Sequence, residues 1–253
     1  RVIVGVEAAG DALAEVEGIG LKTARAIAAF DGHAAIDSQL QQGARLGADL
    51  VTCADDAYPA RLRELYDPPP FLWLRGTLTE ADTRAVAIVG TRKARAYGLR
   101  VAEHFAAGLA ARGYTIVSGL AYSIDIAAHR AALDAGGRTL AILGSGVDRI
   151  YPQRHTATVR RIIESGQGAV VSEFPLGTKP DAPNFPRRNR IIAGLSLGVL
   201  VAEARAKGGA LLTAYAALEQ NREVFAAPAP LFSGNGDGGN SLIQLGHAKL
   251  VTS

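Results

Sequence analysis

The chain has 253 residues, 48% of them hydrophobic, a formal net charge of +3 and one cysteine. That is apolar material for one large α/β core with a small appendage, and too little excess charge to make a nucleic-acid binder by composition, so such a role has to come from clustered cations. The lone Cys53 excludes an internal disulfide, no Cys/His spacing suggests a metal site, no apolar run is long enough to span a membrane, and the opening "RVIVGVEAAG" lacks the succession of a signal peptide; a cytoplasmic protein without metal, cofactor or membrane contact is expected.

The chain begins at Arg1 and contains no methionine, which is consistent with flanking domains outside it. Its first segment, "LAEVEGIGLKTARAIAAF" (Leu13 to Phe30), sets a G-x-G between two apolar-periodic stretches. This is the layout of a helix-hairpin-helix, with Gly18 and Gly20 allowing the turn and Lys22 and Thr23 opening the second helix. The turn's amides could meet a phosphate, or the hairpin could be purely structural. Residues 1–45 are therefore read as a small helical domain. From Gly47 to Gly76 a short strand, a Tyr-Pro turn, one helical turn and the triple proline Pro68 to Pro70 read as an irregular connector, residues 46–83, joining the core.

Residues 84–253 alternate strand-like apolar runs with helical patterns. "AVAIVG" leads to a helix over Tyr97 to Arg112, and "YTIVSG" to one over Ile124 to Ala135; "RTLAILGSG", "GAVVSEF", "GVLVAEA" and "EVFAAP" follow. Continuous apolar strands separated by helices predict an extended Rossmann-like, doubly wound, largely parallel sheet. Ligands bind such sheets beyond the carboxyl ends of the strands, which here carry Gly90-Thr91-Arg92, Ser118-Gly119, Gly144-Ser145-Gly146 and Glu173-Phe174. The glycine-rich "SGNGDGGNS" (Ser233 to Ser241) reads as a loop before the last helix.

The first turn, "GTRKARAYG", is not the G-x-G-x-x-G of a dinucleotide site, and the second strand ends without an acidic residue. A Walker A loop, a G-x-S-x-G elbow and H-E-x-x-H are absent too, so no catalytic residues are assigned. Arg92, Lys93 and Arg95 at a strand end, together with free backbone amides, suggest a phosphate site; a solvated basic loop is the alternative. In "SGLAYSIDIAAHR", Ser123 suits a helix cap and Asp125 the first helical turn, while Asp125 and His129 lie at i, i+4. A Ser118/Asp125/His129 triad could be imagined, but a structural Asp–His contact is the commoner use of that spacing.

"NFPRRNRIIAG" (Asn184 to Gly194) places three arginines at a helix start, against the macrodipole. With the helix beginning near Pro186, Arg188 falls on the stripe of Ile191, Ile192 and Leu195 and is expected to be structural. Arg187 and Arg190 then project towards a common anion with Phe185 as an aromatic platform, the combination single-stranded nucleic acid requires. A buried phenylalanine beside a surface charge cluster is the alternative.

In order and spacing, "VAIVGTRKARAYG", "SGLAYSIDIAAHRAAL", "LGSGVDRIYPQRH", "SEFPLGTKPDAPNFPRRNRIIAGLS" and "GGALLTAYAALEQNREVFAAP" resemble the DNA-processing protein A (DprA/Smf) family across nearly the whole chain. The resemblance implies a non-enzymatic binder of single-stranded DNA that protects incoming strands in natural transformation and helps load the RecA recombinase. Its implied DNA-binding positions are Gly90, Thr91, Arg92, Ser118, Gly119, Tyr122, Lys179, Phe185, Arg187, Arg188, Asn189 and Arg190. It further implies a homodimer with Leu242, Ile243 and Leu245 near the self-contact and the RecA surface, and leaves open duplex DNA binding by the N-terminal helices. Three features depart from the family pattern. Tyr122-Ser123 stands where Arg-Gly is common, Pro228-Ala229-Pro230 where P-G-P is usual, and the winged-helix-like tail of many members is not in this sequence. The rival reading is a nucleotide phosphoribohydrolase of the lysine-decarboxylase-like family, whose P-G-G-x-G-T-x-x-E motif is only approximated by "KGGALLTAYAALE", with Glu219 too far along.

Overall fold

A computed structural model of the chain describes residues 11–253. These fall into two compact units, the first ending at Gln42 and the second running from Gly43 to Ser253. In the first, a helical turn over 11–14 precedes α1 (Leu21–Ala28), with Gly18 at φ 88° turning the chain and Gly20 as N-cap. A left-handed residue costs glycine no Cβ clash, which suits Gly18 to that turn. Helix α2 (His33–Arg45) follows.

The second unit is built on one nine-stranded sheet. In chain order its strands are β1 (Ala48–Thr52), β2 (Phe71–Gly76), β3 (Ala85–Gly90), β4 (Thr115–Ser118), β5 (Thr139–Ile142), β6 (Gly168–Ser172), β7 (Gly198–Glu203), β8 (Glu223–Ala226) and β9 (Lys249–Leu250). In space they run β1-β2-β6-β5-β4-β3-β7-β8-β9. The seven from β6 to β9 are parallel, whereas β2 pairs antiparallel with both β1 and β6. The α/β, Rossmann-like reading is thus met. The stretch expected as an irregular connector with one short strand supplies two strands to the sheet. Its triple proline lies just before β2, where no ladder donor is needed, and Tyr58 Oη fixes the turn by donating to Pro69 O at 2.6 Å.

The helices between strands are α3 (Ala60–Arg63), α4 (Ala96–Ala110), α5 (Ile124–Asp134), α6 (Thr156–Glu164), α7 (Asn184–Leu195), α8 (Gly209–Glu219) and α9 (Asp237–Gln244). Strand alternation divides them between two faces. Ala85, Ala87, Val89, Val199 and Val201 pack with Ile191, Ile192, Leu195, Leu211 and Leu242 of α7 to α9. Ile88, Ile116 and Leu200 pack with α4 and α5, where Ala102, Ala106 and Ala110 repeat every fourth residue and let the helices approach. Each fully buried isoleucine contributes about 1.5 to 3 kcal/mol.

After β3 the chain winds outward through β4, β5 and β6, then returns by α7 to lay β7 on the other side of β3. The winding direction reverses between β3 and β7, and that is where a doubly wound sheet opens a crevice at its carboxyl edge.

At the opposite edge, the chain enters β6 through Gly168 at φ 153°, and a Cβ there would run into the Thr139 carbonyl. Gly168→Ala should destabilise the protein by about 2 to 4 kcal/mol. Gly136→Ala, at φ 75° with open space around it, should cost about 1 kcal/mol. Urea unfolding of the two variants measures the difference.

Candidate nucleic-acid interface

The crevice is a cavity of about 580 Å³ lined by the β3 turn, the α7 start and the segment from β7 into α8. Its construction begins with Gly90, where a Cβ would meet Ile124 and lie 2.9 Å from the Glu203 carbonyl. Thr91 N–H donates to that carbonyl at 2.8 Å, locking β3 to β7 at the floor. Three of the next four amides are also engaged: Lys93 N–H donates to Thr91 Oγ1 (3.3 Å), Ala94 N–H to Ser123 Oγ (3.0 Å) and Arg95 N–H to Glu203 Oε2 (3.0 Å). Gly98 makes room for that carboxylate, since a Cβ there would stand 2.6 Å from Oε2.

This corrects two expectations. Four amides of "GTRKARAYG", those of Thr91, Lys93, Ala94 and Arg95, are already taken within the protein and so are not free for a phosphate, whereas the cations Arg92, Lys93 and Arg95 are exposed. Ser123 precedes α5 at φ 72° but does not cap it, since its hydroxyl serves Ala94.

The imagined triad does not assemble. Ser118 is buried with Oγ donating to Ile88 O at 2.6 Å. Asp125 Oδ2 accepts from the amides of Gly119 (3.1 Å) and Ala121 (3.2 Å), folding the turn after β4. His129 is fully buried; Thr139 Oγ1 spends its proton on Ile116 O, so His129 Nδ1–H donates to it at 2.7 Å.

The three arginines of α7 serve three purposes. Arg188 is 4% exposed and donates from Nη1 to Gly119 O (2.7 Å) and to Ile142 O, tying the ends of β4 and β5 to α7. A Cβ on Gly119 would lie 2.6 Å from that nitrogen, so glycine is what admits the guanidinium. Burial lowers the Arg188 pKa to about 10 against the opposing pull of Asp125; burial likewise raises the Asp125 pKa, with Arg188 and the two amides pulling it back. Arg188 is structural as read, but so is Arg190, which donates to Asp67 O at 2.6 Å and pairs with the buried Glu173. Arg187 alone of the three is exposed, its guanidinium 5.5 Å over the Phe174 ring. Asn189 is buried, accepting from Arg188 Nε at 3.2 Å.

Phe185 is half-buried, and Gly144 lies under its ring, where a Cβ would be 2.9 Å away. Arg92 stacks over the same ring at 4.7 Å. Lys179 is exposed, with its carbonyl accepting from Asn184 Nδ2 at 3.4 Å. Tyr122 is half-buried beside His155, on the far side of the β4 turn. The interface residues separate as well: Leu242 is 1% exposed within the core and Ile243 packs on it, which leaves Leu245, 60% exposed, as the surface side chain of the three.

Sequence reading missed the other wall of the crevice. Arg205, Lys207 and Gly208-Gly209 stand at the start of α8, which has no acidic residue in its first turn and no side-chain cap. Arg205 Nε donates to Asn235 Oδ1 (2.8 Å), and Asn235 Nδ2 to Lys93 O (3.0 Å), so the two basic walls are joined. The signal was a Gly-Gly helix start directly after a strand, with two cations and no acid. The arrangement offers positive charge and an aromatic ring along one crevice, but no positioned nucleophile.

A family model described as DNA recombination-mediator protein A matches residues 49–253. The chain is 47% identical over 203 residues to protein Smf of Escherichia coli (strain K12), covering 80% of this chain and 54% of that protein. It is 45% identical over 199 residues to DNA processing protein DprA of Streptococcus pneumoniae, covering 79% of this chain and 69% of that one. It thus spans about half the length of the Escherichia coli relative. The X-ray structure of the Streptococcus pneumoniae DNA processing protein A superposes with a TM-score of 0.82 at 37% identity, over 99% of this chain and 84% of that one. DNA processing protein A from Helicobacter pylori, characterised for its single-stranded DNA binding mode, superposes with a TM-score of 0.73 at 29% identity, over 81% of this chain and 91% of that one.

Arg188→Ala should cost about 3 kcal/mol or more in urea unfolding, because it strands buried polar groups, while Arg187→Ala should stay within about 0.5 kcal/mol. Burial pushes the His129 imidazole from 6.5 down to about 3, so the unfolded chain binds a proton there that the folded chain refuses. Its contribution is full above pH 6.5 and is lost as the pH falls towards 3. His129→Gln should flatten the decline in unfolding free energy between pH 7.5 and 5 relative to wild type.

Proposed function

The chain belongs to the DNA recombination-mediator protein A family, and on that premise we propose that it binds single-stranded DNA along the strand-end crevice and acts as a recombination mediator. The observation that carries this reading is the pairing of Phe185 with Arg92 at 4.7 Å, with exposed Lys93 beside it and Arg205 and Lys207 in the same crevice, and with exposed Arg187 two residues further along α7. Arginine contacts to phosphate and stacking on a phenyl ring carry no base code, so recognition is independent of sequence. The single-stranded DNA binding described for the Helicobacter pylori relative supports the same use of this edge.

The rest of the proposal follows the family. The protein protects incoming strands, hands them to RecA in the cytoplasm without catalytic turnover, and dimerises around Leu245, with the exposed Tyr215 and Leu212 of α8 as neighbouring apolar surface. A phosphoribohydrolase reading has little to stand on here: Glu219 ends the 11-residue α8, about 15 Å along the axis from the crevice where Gly208 starts it.

The test is fluorescence anisotropy with labelled oligo-dT and a matched duplex across a salt series. Single strands should bind preferentially, with log K falling against log salt by roughly 0.7 per phosphate contact. Arg92→Ala and Arg187→Ala should each flatten the slope by about one contact, and Phe185→Ala should weaken binding by about 1 to 3 kcal/mol. Equal affinity in all four proteins would remove the crevice as the DNA site.

A further inference from the structure

The crevice does not stop at Phe185. A small recess continues past it, lined by Arg92, Tyr122, Tyr151, Pro152, Phe185 and Arg188. The exposed Tyr151 ring lies 6.2 Å from that of Phe185, tilted by 42°. Beyond it, Tyr122 meets the buried His155 edge-on at 5.5 Å, and His155 is itself pinned by Nδ1–H donating to Leu120 O at 2.9 Å. Over the Tyr122 ring, at 4.1 Å, stands the guanidinium of Arg154. Arg154 is exposed, and among the described residues no carboxylate pairs with it.

The recess therefore repeats the chemistry of the Phe185 site. An arginine lies over an aromatic ring twice, as Arg92 on Phe185 and as Arg154 on Tyr122, with the Tyr151 ring neighbouring Phe185. A guanidinium held on a ring keeps its N–H fork directed and charged, so little further order is lost when it meets a phosphate. Tyr122 occupies the position where arginine is common in the family pattern; here a guanidinium stands over that side chain from the segment after β5.

We propose that Arg154, with Tyr122 and Tyr151, forms a second contact station for single-stranded nucleic acid, lengthening the bound stretch by about one or two nucleotides past Phe185. This rests on the crevice being the DNA site. Arg154 is the phosphate ligand of the station and the tyrosines its stacking surfaces.

Anisotropy with oligo-dT of increasing length, from the shortest that binds upward, tests it on the full chain. Arg154→Ala should leave the shortest binding oligomer unaffected and weaken longer ones by roughly five- to tenfold, reducing the salt slope by about 0.7. Arg154→Lys should keep the slope while recovering only part of the affinity, because an ammonium keeps the charge without the stacked plane. Unchanged affinity of Arg154→Ala at every length, while Arg92→Ala and Phe185→Ala are impaired, overturns the station and leaves the crevice reading standing. An equal loss at all lengths overturns its place at the end of the path. If wild type fails to bind, or Arg92→Ala and Phe185→Ala also bind normally, the crevice reading falls and the station with it.

Discussion

Everything at the carboxyl edge of the sheet hangs on a guanidinium that does not face solvent. Arg188 reaches from α7 to the carbonyls of Gly119 and Ile142, within the field of Asp125, which in turn gathers the amides of Gly119 and Ala121. Backbone groups at strand ends have no ladder partners, and buried unpaired ones are costly. One arginine and one aspartate satisfy them for two strands at once. The same contact sets the seat of α7, and with it the positions of Phe185 and Arg187 two turns or less from the buried charge. Arg190, held by Asp67 and Glu173, secures the other side of that helix. Two of three adjacent arginines thus spend their charge inside the protein so that the third, and the phenyl ring, are presented to solvent.

The distribution of backbone donors decides what kind of anion site this is. In a dinucleotide-binding sheet, the first helix N-terminus faces a pyrophosphate. Here the carboxylate of Glu203 sits in that place, admitted by Gly98, and Ser123 takes the neighbouring amide. With those donors of the β3 turn taken, attraction on that wall is left to long cationic side chains, which adapt to an irregular backbone and respond strongly to salt.

Much of this was legible in the sequence, for reasons that differ by element. Strands buried on both faces declare themselves as apolar runs, so β3 to β8 were readable, most of them to within a residue or two and β5 with its end set four residues too late. Helical period put Arg188 on the apolar stripe, and its burial follows from that geometry. Arg190 was misread because its partners are not local: Asp67 lies 123 residues away and Glu173 across a loop. The short strand expected after Gly47 is β1, whereas β2 was hidden by the proline cluster before it, whose turn position only the fold reveals. Leu242 and Leu245 look alike in sequence, yet one faces the core and the other water. Arg205 and Lys207 escaped notice because their segment was weighed only as an imperfect hydrolase motif.

The carboxylate at the α4 N-terminus also governs which competitors the crevice meets. Free nucleotides are small anions, and a preformed ring of amides would hold one by its phosphates alone. A site made of separated side-chain cations gives a mononucleotide only one or two contacts, whereas a polymer engages several through a single loss of translational freedom. By taking the Arg95 amide, Glu203 removes one rigid anion donor from the β3 turn, so on the proposed reading valency becomes the basis of selection against small anions that share the polymer's charge.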